Sequence, residues 1–116
     1  MQPVLDVRIR ENSFWAAQAA RYMRVSACAL VIGNTIHLHG ATTVELLNHT
    51  AWFRHEVCHV RQWQREGMLR FFSRYLWFSI KLGYKQNPYE VEARLAEEQP
   101  EMLHGICIQG ENNWLE

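Results

Sequence analysis

No Cys-x-x-Cys pair occurs in this sequence, and its three cysteines, Cys28, Cys58 and Cys107, are odd in number and far apart. That excludes a disulfide framework and gives no sign of a structural zinc site built on thiolates. Neither sign of charge is in excess: 12 basic and 12 acidic residues leave a formal net charge of zero. A nucleic-acid partner, which ordinarily shows as a basic excess, is not expected. Long hydrophobic runs are missing too. The most apolar stretch, residues 71–82, is interrupted by Ser73, Arg74, Ser79 and Lys81 and is too short to cross a bilayer. Residues 1–11 carry Asp6, Arg8 and Arg10 and have no apolar centre, so they do not read as a secretory signal. There is no internal repeat, low-complexity stretch or linker. The expectation is one soluble, cytoplasmic domain over residues 1–116.

What is present suits a packed core. Hydrophobic residues make up 48% of the chain, which argues against intrinsic disorder. Ser13 is placed to cap a first helix reaching about residue 24. Residues 27–32 are apolar and β-branched, and Gly33-Asn34 is a tight-turn signal. Residues 35–39 alternate, with Ile36 and Leu38 on one face and His37 and His39 on the other, so 27–39 reads as a hairpin ended by Gly40. Thr42 to Glu45 resembles a capping box. Thr50 is placed to cap a helix over residues 51–66, with Gly67 as its stop. A third long helix follows over 69–82, ending at Gly83. Asn87-Pro88 opens a fourth, to about residue 99, where Pro100 ends it. Residues 102–116 show no firm period.

Chemistry concentrates at His55-Glu56-Val57-Cys58-His59. Residues four apart on a helix share a face, so two imidazoles can reach one ion at about 2.0–2.1 Å. Glu56, between them, cannot join as a ligand, but it can take the proton of a water activated beside the ion. A catalytic zinc needs a third protein ligand. Asp6, the four other histidines and the downstream carboxylates are open candidates. Glu90 and Glu92 stand out, because Gly67 and Gly83 can turn the chain back toward the motif. Being two apart, they point to different sides of a helix, and only one should ligate. The first-turn position favours Glu90, although a glutamate there also fits a capping box with Asn87.

The run His55 to Gln62, followed by Asn87-Pro88-Tyr89-Glu90-Val91-Glu92-Ala93, resembles the gluzincin zinc metallopeptidases. It is most similar to the very short members called minigluzincins, themselves similar to the catalytic core of membrane peptidases that process prenylated proteins. The resemblance spans most of the chain, from the hairpin to about residue 99. It implies a zincin-like α+β fold, Zn2+ held by His55, His59 and Glu90, and Glu56 as general base in peptide-bond hydrolysis. Peptides or unfolded proteins would be the substrates. The family's second motif is a Glu followed four residues later by an Asp that orients a ligand histidine. Here Arg94 stands at that place, and Asp6 is the only aspartate. The orienting role is left unassigned, which keeps a second reading open: a zinc-binding interaction module with little or latent turnover.

Several weaker expectations accompany this one. The strand over residues 35–39 is expected at the upper edge of the sheet, available to an extended peptide by strand addition. Tyr84, Tyr89 and the histidines are candidates to stabilise an oxyanion. Cys58 is expected to be a small buried core residue. A tail over residues 102–116 could cover the site, with Cys107 or His104 reaching zinc, but packing of Ile106 and Ile108 around Cys107 is the plainer reading. Phe71, Phe72, Tyr75, Trp77 and Phe78 suit a helix packed on the zinc helix better than a membrane-facing surface. Arg61, Arg65 and Arg70 read as a solvated face. The expected architecture is a small antiparallel or mixed sheet beside three or four helices, with the zinc helix central.

Overall fold

Leu5, Val7 and Ile9 alternate with Asp6, Arg8 and Arg10, the period-two pattern of a half-buried strand. This strand, unassigned from sequence, lies inside the sheet of the computed structural model, which describes residues 4–110. The order of elements is β1 (Leu5–Arg10), α1 (Phe14–Met23), β2 (Cys28–Ile32), β3 (Thr35–His39), α2 (Thr43–Asn48), α3 (Thr50–Glu66), α4 (Met68–Leu82), α5 (Pro88–Ala96), a 3-10 turn (Pro100–Leu103) and β4 (Ile106–Gly110). The fold is α+β, as expected, with five α-helices among the described residues rather than three or four.

The four strands run in the order β2-β3-β1-β4. The β2–β3 hairpin is antiparallel, and β1 is parallel to both β3 and β4. One expectation falls here. β3 is an interior strand, because β1 takes the side that was expected to be free. His37 on it is buried, hydrogen-bonded through Nδ1 to Ser13 Oγ at 2.7 Å. Sheet edges are β2 and β4. Gly40 turns the chain out of β3 at φ +74°, and a Cβ there would lie 2.1 Å from the Ser26 carbonyl oxygen, so the turn requires glycine.

Completely buried Val7, Ile36, Leu38, Leu46 and Val57 join the sheet to α3, the central helix. α3 starts at Thr50 with His49 at its cap position, so Thr50 is inside the helix and caps nothing. α5 starts as expected: Asn87 Oδ1 accepts from Tyr89 N at 2.9 Å, Pro88 takes the first helical position, and the Asn87 amide holds Tyr75 O and Ser79 Oγ. That buried cap ties α5 to α4 and sets where the first turn of α5 meets α3.

The described part of the segment without a firm period, residues 102–110, also folds. Its 3-10 turn is held by Arg61, which donates to Met102 O at 2.9 Å and to His104 O at 2.7 Å. Arg61 is thus a structural strap rather than part of a solvated face. β4 then pairs with β1, at the opposite edge of the sheet from β2. Ile106 packs on the core, but Cys107 and Ile108 are exposed, so no packing shell forms around the thiol. Residues 111–116, included in the expectation of a covered site, lie outside the described residues.

Candidate metal centre

The helical period stacks His55 and His59 on one face of α3, ring centroids 5.0 Å apart. The first turn of α5 brings Glu90 against them. Glu90 Oε1 lies 3.3 Å from His55 Nε2 and 3.3 Å from His59 Nε2. One ligand atom from each of the three falls within 4.8 Å of the others, close enough to hold a metal ion. Among the described residues no other group of three His, Cys, Asp or Glu side chains does so.

The far side of each ring decides whether this trio suits an ion. His55 Nδ1 is 2.8 Å from Glu97 Oε2, and His59 Nδ1 is 2.8 Å from Gln62 Oε1. Gln62 is completely buried, and its amide nitrogen donates to Tyr89 O at 3.0 Å and to Glu92 Oε1 at 2.8 Å. Its oxygen must therefore face His59. Both Nδ1 protons have acceptors, so each ring can offer its Nε2 lone pair to an ion beside Glu90 once the Nε2 proton is lost. Tyr75 Oη donates to the other oxygen of Glu90, completing its environment. The donor set fits a divalent ion.

The charges agree with this geometry. Burial would raise the Glu90 pKa, but bonds from His55, His59 and Tyr75 hold it well below the usual carboxylate range. Burial would lower the His55 pKa, yet Glu90, Glu56 and Glu97 together bring it up to about 9. Glu56 is buried, and burial pushes its pKa up despite the nearby His59 and His55. It opens with His55 onto a cleft of about 420 Å³ walled by Met23, Ala29, Trp52, Tyr84 and Glu97.

Other candidates fall elsewhere. Glu92 faces away from the trio and pairs with Arg65 at 3.3 Å. Asp6 is on β1, accepting from Gln109. Tyr89 donates to Glu66 at 2.6 Å and does not line the cleft, whereas Tyr84 does. Cys58 is buried against Ala93 and Ala96, as expected. Arg94 turns outward to the Lys85 carbonyl. Sequence reasoning missed Gln62, Tyr75 and Glu97. Two had signals: Gln62 is one turn after His59, and Glu97 is two turns after Glu90 on the same helix face. Tyr75 had none, since only the fold of α4 against α5 brings it in.

Fold and site define an α+β domain in which two histidines of the central helix and a glutamate of α5 are positioned to hold a metal ion. Residues 2–67 match the family described as the eCIS core domain. That is more than half of the chain, and the chain belongs to this family. The match includes His55, Glu56 and His59 and stops before Tyr75, Glu90 and Glu97. No curated protein and no solved structure matches the chain.

Proposed function

We propose that this domain is a zinc-dependent peptidase of gluzincin type, with His55, His59 and Glu90 as ligands and Glu56 as general base. One observation carries the reading: two Nε2 atoms converge on Glu90 while buried Glu56 opens beside them onto the cleft. Two imidazoles and a carboxylate with room for a further ligand are a catalytic zinc set. Zinc held there would supply Lewis acidity. Glu56, its pKa raised by burial, takes the proton of the attacking water and passes it to the leaving amine. Partial burial and the nearby Glu90 carboxylate keep the Tyr84 phenol protonated, able to donate to a developing oxyanion. An extended peptide is better received by β2 than by β3. β2 is a sheet edge, and its Cys28 and Ala29 wall the cleft.

Metal content and cleavage of a mixed peptide library test the reading. Wild type and Glu56→Ala are expected to bind zinc, with cleavage by wild type alone. Glu90→Ala is expected to lose most of its zinc. Stoichiometric zinc with no cleavage by wild type would leave a metal-binding module and refute the peptidase.

A further inference from the structure

We propose that α4 is a docking surface for an anionic lipid bilayer. The helix has three faces. Successive residues are rotated by about 100°, so Phe71, Tyr75 and Phe78 share the face that packs on the core, with Phe71 against Trp63 of α3 at 4.7 Å. Leu69, Phe72, Leu76 and Ile80 form a ridge on another side, spaced three and four residues apart. These four are 86%, 58%, 49% and 71% exposed, and none of the described residues covers them. Arg70, Arg74 and Lys81 form the third face.

α4 carries no acidic residue, although the whole chain balances its charges. A chain of zero net charge has therefore gathered cations of one sign beside an apolar ridge. Trp77 lies between ridge and cations, 58% exposed, with the Lys81 ammonium over its ring at 5.2 Å. Aliphatic ridge, then tryptophan, then cations is the depth order of a bilayer surface, from acyl chains through the headgroup level to the phosphates. Self-association through α4 is disfavoured by the same composition. A two-fold contact would bring two basic faces together, and among the described residues the acid paired with them is Glu66 of α3, 3.7 Å from Arg74. No helix among the described residues is long and apolar enough to cross a membrane, so the contact is peripheral.

The proposal is independent of the metal centre, and vesicle flotation tests it. Wild type is expected to float with phosphatidylcholine–phosphatidylserine vesicles, to stay behind with phosphatidylcholine alone, and to be released by salt. Arg70→Gln and Lys81→Gln should each weaken binding about fivefold. Leu69→Ser with Ile80→Ser should abolish it with no fall in melting temperature, since both side chains are already exposed. Lipid should shift Trp fluorescence to the blue, and Trp77→Phe should remove most of that shift. Failure to bind either vesicle would overturn the proposal, as would equal binding to both. So would a dimer in light scattering that Leu69→Ser with Ile80→Ser disperses.

Discussion

Glu97→Ala tests how the metal centre is oriented. The variant removes the acceptor 2.8 Å from His55 Nδ1 and leaves the three ligand side chains in place. It also spares the Glu97 carbonyl, which accepts from Arg54 at 3.0 Å, so the end of α5 stays tied to α3. Without the acceptor, His55 can adopt the tautomer with its proton on Nε2, which cannot bind an ion. Loss of such an orienting partner typically lowers metal affinity about 10- to 100-fold. The Glu97 side chain is 37% exposed, so water can replace part of the bond. The lower half of that range applies, about 10- to 30-fold, or about 1.4–2 kcal/mol. Glu97→Gln keeps an acceptor oxygen and should lose less. Arg94→Ala should change affinity less than about twofold, because Arg94 points to the Lys85 carbonyl and not to the site. Competition for zinc against a chromophoric chelator measures all three, and the visible bands of the cobalt form report the ligand geometry. Wild-type affinity in Glu97→Ala, alongside a loss in Glu90→Ala, would refute the orienting role. So would an equal loss in Arg94→Ala.

Further predictions concern the scaffold. Gly40→Ala should cost several kcal/mol or prevent folding, because its Cβ meets backbone, whereas Gly33→Ala meets only Met68 Sδ at 3.9 Å and should cost about 1 kcal/mol. Denaturant midpoints compare the two, and equal costs would be the contrary result. Asn87→Ala removes a helix cap and leaves Tyr75 O without that donor, so a loss of about 2–3 kcal/mol in urea unfolding is expected. In the native state Cys107 should react with a maleimide well before Cys28 and Cys58, which are buried; mass mapping of the labelled peptides checks the order.

Two strands of this fold, β1 and β4, were hidden in sequence for identifiable reasons. β1 alternates well, but six residues near an end, with three charges, read as polar chain until a sheet is there to bury Leu5, Val7 and Ile9. β4 has the same problem, being short and half exposed. Missing β1 then misplaced β3 at an edge, since strand order is not a local property. The aromatic run of α4 was legible as a helix. Which of its apolar residues face the core was not, because more than one stripe of α4 is apolar and only packing chooses between them.

By itself the sequence determined that α3 presents two imidazoles one turn apart with a glutamate between, and that Asn87-Pro88 opens a helix with Glu90 in its first turn. Those facts depend on a period of 3.6 residues and on local capping, which a few neighbouring residues decide. Glu90 was already favoured over Glu92 by its first-turn position, and the fold sets it against the histidines; tertiary structure alone decided that Gln62 and Glu97 hold the two rings. It also decided that Arg94 stands clear of the site and that β2 forms the edge along the cleft. Each of these depends on how α5 and the sheet settle against α3, and that is fixed by long-range burial of apolar surface, to which local sequence is nearly blind.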